Sequence, residues 1–364
     1  LLNTRLKIQD LHDRANMPMI SQCKNYVISY NGELYNKKFL KENYLKDQKI
    51  ITDSDTEIVL NLYIKYENKF LNLLDGMFAI SIYDIRKQQL ILARDPLGIK
   101  PLYYTFDKNF LFFSSSIKSF YFKKKINTEA IIDFFSFGFI REPKTILNDV
   151  KSLEPGQLYL YKNNSLEKIT LFDLKDIFKG NYKKDYDIEN EIEDSILKHY
   201  TKEVSSCLFL SSGVDSNIIL ASLKKNNVDV PTLSLTFENS GSEKNIPNEG
   251  KIIEKICAEN KIQNYNAFIS KSLLQEYDNK FCKEIDQPTT DGLNTFIISN
   301  IANQMSHKVA YSGLGGDELF CDYGTLKKIK VIHIINKIIR KLGIKEFLQK
   351  SLKNLSLIHI SEPT

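Results

Sequence analysis

Two short segments combine hydroxyl groups, glycines and an acidic side chain in a way that suits phosphate chemistry. They are residues 210–216 (LSSGVDS) and 312–318 (SGLGGDE). Small residues allow backbone N–H groups to approach a phosphate closely, whereas a carboxylate beside a phosphate needs a divalent cation between them. Asp215 and Asp317 are therefore candidate Mg²⁺ ligands, and the two segments together predict a pyrophosphate site.

Each segment alone is equally compatible with a tight turn that places an Asp in the first turn of a helix. The presence of two such segments in one part of the chain favours the phosphate site. Neither segment matches GxxxxGK[ST], and neither contains a lysine. This excludes a kinase of the P-loop type.

The residues around both segments predict the elements that position them. Strands are predicted at 206–210, 232–237 and 308–311, and helices at 214–224, 248–260 and 295–305. Alternating strands and helices predict a mainly parallel, doubly wound sheet, which binds ligands at the carboxyl ends of its strands.

The first part of the chain has a different pattern. Residues 77–84 and 89–94 are apolar on both alternating faces and flank a polar turn, which predicts two strands inside a layered fold. Apolar residues at three- and four-residue steps between 55 and 74 predict an amphipathic helix after a Ser54/Asp55 cap. The polar stretch at 160–180 is interpreted as the connection out of this domain.

Composition limits the class of protein. The 364 residues are 42% hydrophobic and 26% charged with a net charge of +5, which indicates a globular chain of two domains without a membrane span. The lysines are interspersed with acids, so the sequence does not indicate a nucleic-acid binder. Five cysteines without a CxxC pair favour free thiols in a reducing cytosol and argue against structural zinc: Cys23, Cys207, Cys257, Cys282 and Cys321.

Five ordered blocks resemble a known family. They are Arg5-Leu6, residues 30–36 (YNGELYN), 53–57 (DSDTE), 75–79 (DGMFA) and 93–104 (ARDPLGIKPLYY). With the 211–216 segment, they resemble the bacterial type of glutamine-hydrolysing asparagine synthetase. The resemblance implies an N-terminal-nucleophile glutaminase of layered αββα architecture, followed by an ATP-pyrophosphatase domain of the adenine nucleotide α-hydrolase type with a doubly wound parallel sheet.

The resemblance assigns a glutamine pocket to the first domain, lined by Arg5, Asn31, Gly32, Glu33 and Asp55. Arg5 would pair with the α-carboxylate, and Glu33 and Asp55 would bind the α-ammonium. Asn31 and the Gly32 N–H would form the oxyanion hole. Without the resemblance, an Asn-Gly pair is typical of a hairpin turn.

The family's nucleophile is a cysteine at the mature N-terminus, some tens of residues before the position of Arg5. We therefore expect a missing N-terminus and no glutaminase activity from this chain alone, and we interpret Cys23 as a structural or surface thiol. The C-terminus is expected to be incomplete too. A basic amphipathic helix is predicted at 327–350, and residues 356–364 are interpreted as a non-native tail.

In the second domain, the resemblance implies an ATP site with Mg²⁺ held by Asp215 and Asp317. The implied ATP-binding residues are Leu210, Ser211, Ser212, Gly213, Asp215, Ser216, Leu235, Ser312 and Gly313. Such a site activates a carboxylate as its acyl-adenylate, which ammonia then converts to an amide. Leu314 stands where relatives carry an acid near the acyl-adenylate.

The resulting expectations cover organisation and function. Domains are predicted at 1–160 and 186–355, joined by a connection at 161–185. The predicted activity is synthesis of asparagine from aspartate, ATP and glutamine in the cytoplasm, with a homodimer as a possible assembly. The alternatives are a relative that amidates another carboxylate, such as a sugar uronate, and a catalytically silent nucleotide-binding relative.

Overall fold

The computed structural model describes residues 1–107, 110–123, 125–172, 187–238 and 249–320. Most of the predicted connection, the predicted basic helix at 327–350, the tail at 356–364 and Cys321 lie outside the described residues. Within the described part of the chain, no helix is both long and apolar enough to cross a membrane. The four described cysteines are free thiols.

The first part of the chain folds into two antiparallel sheets. The larger has the order β1-β2-β3-β4-β8-β9, and the smaller has the order β6-β5-β7. The strands are β1 Met19–Ile20, β2 Tyr26–Leu34, β3 Gly76–Asp84, β4 Gln89–Arg94, β5 Tyr103–Asp107, β6 Phe110–Ser114, β7 Lys151–Ser152, β8 Gln157–Lys162 and β9 Ser165–Thr170. The helices are α1 Lys37–Tyr44, α2 Asp55–Tyr66 and α3 Thr128–Phe137.

Four layers result from the burial of the sheet faces. One face of the large sheet packs on α2, with Ile28, Ile80 and Leu62 fully buried between them. The opposite face packs on the small sheet through Leu92 and Phe113. The short 3-10 helix Ile117–Phe120 covers the outer side of the small sheet. This confirms the layered αββα architecture.

Among these elements, the sequence predicted β3, β4 and α2, and it differs from the structure at two places. The Ser54 hydroxyl caps α2 as expected by accepting from the Thr56 N–H, but α2 ends at Tyr66 and a 3-10 helix, Glu67–Leu73, follows it. The predicted connection is wrong at its beginning, because β9 pairs with β8 and belongs to the large sheet. Four of the six residues of this edge strand are exposed, and the strand lacks the continuous apolar pattern of a central strand.

Arg94 joins the two sheets from the end of β4. Its side chain is buried, and its guanidinium donates to the backbone oxygens of Gly98, Lys100 and Leu153 at 2.6–2.7 Å. It also pairs with Glu142 at 2.7 Å. The charge is thus compensated within the protein, as burial of an arginine requires.

The second part of the chain folds around a parallel four-stranded sheet with the order β12-β11-β10-β13. The strands are β10 Ser206–Phe209, β11 Thr232–Phe237, β12 Asn264–Ile269 and β13 Val309–Tyr311. The helices are α4 Ile188–His199, α5 Val214–Lys225, α6 Glu249–Asn260, α7 Lys271–Glu284, α8 Leu293–Gln304 and α9 Gly316–Phe320.

Helices cover both faces of this sheet. Ile297 and Ile301 of α8 pack on one face, and Leu220, Leu223 and Ile253 of α5 and α6 pack on the other. The doubly wound parallel sheet is therefore confirmed. The strand order reverses between β10 and β13, which is the position at which such sheets bind ligands.

Strands β2 and β3 are packed very closely at Gly32. A Cβ at this position would lie 2.3 Å from the Met77 carbonyl oxygen and 2.8 Å from the Phe78 Cα. We expect Gly32→Ala to lower the free energy of unfolding by about 3 kcal/mol, since the strands would have to separate. Chemical denaturation measures the change. The control is Asn31→Ala on the same strand, where the side chain is exposed. Equal stability of the two variants would contradict the prediction.

Candidate functional site

Asn31, Gly32 and Glu33 lie in the last part of β2, not in a turn. They pair in register with Ala79, Phe78 and Met77 of β3. The local Asn-Gly signal for a hairpin is therefore misleading here, because the strand continues to Leu34. Asn31 and Glu33 alternate with the buried Tyr30 and Leu34, so they share one face of the sheet.

Asp55 lies beside this strand at the first position of α2. Its Oδ2 accepts the Leu34 N–H at 2.7 Å, whereas its buried Oδ1 has no hydrogen-bond partner. Burial raises the pKa of Asp55 to about 7, and the negative charge of Glu33 acts in the same direction. The structure thus places Glu33 and Asp55 close enough for their charges to interact, while the binding of one ammonium by both, which the resemblance implies, stays a prediction.

Glu33 contacts Gln9 and is linked through it to Lys37, and no motif in the sequence indicates either residue. Gln9 donates its amide N–H to Glu33 Oε1, and Lys37 donates to Gln9 Oε1. Lys37 Nζ also lies 3.7 Å from Asp55 Oδ1. Burial raises the pKa of Glu33, while the Gln9 hydrogen bond and the positive charges of Lys37 and Lys100 lower it.

Arg5 lies beside Gln9, but its guanidinium already donates hydrogen bonds to backbone oxygens of the chain. Its terminal nitrogens donate to the backbone oxygens of Gln9 and Asp10, each at 2.6 Å, and to that of His12 at 3.2 Å. A longer contact of 3.5 Å reaches Asn16 Oδ1. These contacts involve both terminal nitrogens, so binding a substrate carboxylate would require some of them to open. The role of Arg5 in glutamine binding stays a prediction.

Residues of the second domain approach the same group. The Asp10 N–H donates to Glu203 Oε2 at 3.1 Å, and the charge of Glu203 raises the pKa of Glu33. The ring of His199, the last residue of α4, lies 3.9 Å from the ring of Tyr35. No spacing signal could have revealed contacts between residues so far apart in sequence.

Cys23 lies away from the candidate oxyanion residues. It occupies the turn between β1 and β2, whereas Asn31 is near the other end of β2. At about 3.3 Å per residue, the strand from Tyr26 to Asn31 alone spans roughly 16 Å. The exposed Cys23 side chain contacts Ser21 Oγ at 3.3 Å. This placement supports its interpretation as a surface thiol.

The first small-residue loop links β10 to α5. Gly213 is the N-cap of α5 and provides no side-chain hydrogen bond, so backbone N–H groups of the first turn lack a side-chain cap. Inside the loop, Ser211 Oγ accepts the Gly213 N–H at 3.1 Å and contacts Ser216 Oγ at 3.1 Å. The loop therefore has a fixed shape and offers donors to an anion.

The second loop follows β13 and packs directly on the first. A Cβ at Gly313 would lie 2.7 Å from the Asp215 Cβ and 3.0 Å from the Ser216 N. Only a glycine fits at this contact without movement of the backbone. The Ser312 hydroxyl accepts the Leu314 N–H at 3.3 Å, which orders the start of the loop.

Both loops line one cavity of about 920 Å³. Its size is within the range of nucleotide and cofactor sites. The sequence-predicted residues in its wall are Leu210, Ser211, Gly213, Asp215, Ser216, Leu235, Ser312, Gly313, Leu314 and Asp317. The structure adds Glu249, Asn294 and Thr295, which the sequence analysis missed because they come from α6 and α8.

Ser212 is the one predicted ATP-binding residue outside this wall. Its hydroxyl donates to Glu249 Oε1 at 3.3 Å, between the first loop and α6. The pair holds the start of α6 against the loop. Its position favours a structural contact within the loop over a direct contact with phosphate.

The carboxylates of the cavity suit a phosphate-bound cation. Asp215 and Asp317 both line it, and no group of three or more His, Cys, Asp or Glu side chains among the described residues could hold a metal alone. Mg²⁺ commonly uses one or two carboxylates and completes its coordination with phosphates and water. The residues present therefore fit Mg²⁺ that arrives with a nucleotide.

Comparisons with known proteins agree with this arrangement. A glutamine amidotransferase domain model matches residues 1–172, and an asparagine synthase model matches residues 187–359. Asparagine synthetase [glutamine-hydrolyzing] 1 of Bacillus subtilis is 32% identical, over 89% of this chain and 52% of that protein. A putative asparagine synthetase [glutamine-hydrolyzing] 2 of Methanocaldococcus jannaschii is 28% identical, over 98% of this chain and 74% of that protein.

The two domains and their order define the class as a two-domain glutamine amidotransferase. The chain belongs to the family of glutamine-hydrolysing asparagine synthetases. It spans about half the length of the Bacillus subtilis relative. Among solved structures, glutamine phosphoribosylpyrophosphate amidotransferase of B. subtilis matches with a TM-score of 0.33 and 13% identity, over 81% of this chain and 73% of that chain. The fold assignment depends on the elements described above and on the two family models.

The burial of Asp55 predicts a pH-dependent stability. Its pKa in the folded protein is about 7, above its ordinary value of 3.8, so the folded state binds more protons between these values. The stabilisation is present at low pH and is lost as the pH rises through 7. We expect the free energy of unfolding of Asp55→Asn, relative to that of the wild type, to increase by on the order of 3 kcal/mol between pH 4 and pH 8.

Denaturation of both proteins across this pH range measures the effect. Asp53→Asn, which removes an exposed carboxylate two residues away, is the matched control. A stability difference between Asp55→Asn and wild type that does not change with pH would contradict the prediction.

Proposed function

We propose that the protein joins ammonia to a carboxylate at the expense of ATP, with glutamine as the source of ammonia. The first choice of acceptor is aspartate, which gives asparagine. The observation that carries the proposal is the contact of two phosphate-type loops at the strand reversal of a parallel sheet, with Gly313 against Asp215. The names of the relatives support the same activity.

Different residues of the cavity would bind different parts of the nucleotide. Backbone N–H groups at the start of α5 would bind phosphate oxygens, and Ser211, Ser216 and Ser312 would add hydroxyl donors. Asp215 and Asp317 would hold Mg²⁺, which neutralises phosphate charge during transfer of the adenylyl group. The apolar side chains of Leu210 and Leu235 would contact the nucleotide.

The group around Glu33 would bind glutamine in the first domain. Glu33 and Asp55 would accept hydrogen bonds from its α-ammonium, and Arg5 would pair with its carboxylate. Asn31 and the Gly32 N–H would stabilise the oxyanion formed on attack by the N-terminal cysteine that the family uses.

The acidic residues of the cavity provide the main test. We expect Asp215→Asn and Asp317→Asn each to slow carboxylate-dependent exchange of pyrophosphate into ATP by about 100-fold or more, since each removes a Mg²⁺ ligand. Asp229→Asn makes the same change at an exposed position outside the cavity and should have no effect. Normal exchange by both cavity variants would refute the assignment.

Leu314 supports a second choice of acceptor. Its side chain is 80% exposed and lines the cavity, so it presents an apolar surface at a position where the family resemblance implies an acid. It cannot take a proton from the attacking amine. A larger carboxylate, such as a sugar uronate, would suit a wall of this kind.

Conversion of ATP to AMP with ammonia distinguishes the two acceptors. We expect turnover with aspartate, and Leu314→Glu should raise the ammonia-dependent rate without changing which carboxylate is used. If a uronate reacts while aspartate does not, aspartate is the wrong acceptor but the proposed mechanism stands. Nucleotide binding with no turnover on either carboxylate would favour a catalytically silent relative.

A further inference from the structure

The two carboxylates of the proposed glutamine pocket are already contacted by cationic and amide groups of the chain itself. Lys37 lies 3.7 Å from Asp55 Oδ1 and donates to the Asp53 backbone oxygen at 3.0 Å. It also donates to the Gln9 carboxamide, whose N–H groups reach Glu33. An ammonium and a carboxamide are the two groups, besides a carboxylate, that glutamine would bring.

We propose that Lys37 is a built-in occupant of the cation site formed by Asp55 and Glu33, and that a substrate amine must displace it. The proposal rests on the function proposed above, because it takes the same two carboxylates as the site for the α-ammonium. Lys37 thereby sets the apparent affinity of the pocket for amines. The side chain of Gln9 must move together with that of Lys37, because its carboxamide bridges Lys37 and Glu33.

The geometry explains why a substrate amine would displace Lys37. Asp55 is 4% exposed, and its Oδ1 accepts no hydrogen bond although an ammonium is nearby. A buried acceptor without a donor is costly. A substrate ammonium at hydrogen-bond distance would supply the donor that Lys37 does not supply at 3.7 Å.

The position of Lys37 in the fold also allows it to leave. It is the first residue of α1, where the helix dipole disfavours a positive charge, and Asn36 provides no side-chain cap. Its side chain is 28% exposed, and a lysine has a flexible stem that can move toward solvent. The acids and Gln9 hold it in place, not the helix.

The exchange of Lys37 for a substrate amine would keep the number of positive charges at the site unchanged. The charges of Glu203, Lys37 and Lys100 act on the pKa of Glu33, and the charge of Glu33 acts in turn on the pKa of Asp55. Three carboxylates thus face two ammonium groups. When a substrate amine displaces Lys37, the number of positive charges in the pocket is conserved, so no uncompensated carboxylate is created.

The experiment compares ligands with and without an α-amino group. Binding of L-glutamine and of 4-carbamoylbutanoate, which lacks the amine, is measured by calorimetry for wild type and Lys37→Met. We expect Lys37→Met to bind glutamine about tenfold more tightly and 4-carbamoylbutanoate unchanged, because the competing ammonium is gone. Lys38→Met, which changes the exposed neighbouring lysine, is the control and should match the wild type.

A second measurement does not depend on glutamine. Propylammonium should raise the melting temperature of Lys37→Met more than that of the wild type or of Lys38→Met, because in Lys37→Met it fills a vacated site without having to displace a lysine. If propylammonium stabilises Lys37→Met in this way but neither the wild type nor any variant binds glutamine, Lys37 does occupy a cation site, and the proposed binding of glutamine is wrong.

Three results would overturn the proposal. The first is weaker or unchanged glutamine binding by Lys37→Met when the wild type binds glutamine. The second is an equal change in affinity for both ligands, which would make Lys37 a structural ion pair. The third is a Lys37→Met protein that responds to neither glutamine nor propylammonium.

Discussion

The buried guanidinium of Arg94 is the interaction on which the first domain depends. It lies where β4 leaves the large sheet, and it donates to backbone oxygens in the loop after β4 and beside the small sheet. Removing one partner of such a buried charge commonly costs about 3–5 kcal/mol. Asp95 completes the arrangement, because its carboxylate accepts the N–H groups of Leu97, Ile99 and Lys100. Together, these two residues fix the loop that brings the charge of Lys100 near Glu33.

Local signals in the sequence were sufficient for the central strands of both domains and for the helices that pack on them. The apolar pattern of 77–94 predicted β3 and β4, and the Ser54 cap predicted the start of α2. Alternating strands and helices predicted the parallel sheet, and the sheet in turn brought residues 210–216 and 312–318 together. These predictions succeeded because each depends on periodicity or on a cap within a few residues.

The features that the sequence did not reveal depend on contacts between distant residues. β9 has the exposed pattern of an edge strand and was interpreted as a connection. Asn31-Gly32 has the same local signal as a turn, and only the approach of the Met77 carbonyl explains the glycine. Gln9, Lys37 and Glu203 join the candidate glutamine pocket through side chains from three separate segments, and nothing in their own neighbourhoods indicates this.

One segment of the second domain connects the domain interface with the cavity. Asp286 accepts a hydrogen bond from Ser116 Oγ at 2.7 Å, Gln287 accepts the Ile146 N–H at 3.0 Å, and the Thr290 N–H donates to the Gly138 oxygen at 3.0 Å. Helix α8 follows directly, and its first turn contributes Asn294 and Thr295 to the cavity wall. Two backbone groups of the first domain therefore help to hold the chain that forms one side of the candidate nucleotide site. Because these three contacts are directional hydrogen bonds, they fix the register of this segment more strictly than an apolar contact of the same size would. The residues that line the cavity belong to the second domain, and these hydrogen bonds tie the first domain to the segment that precedes α8.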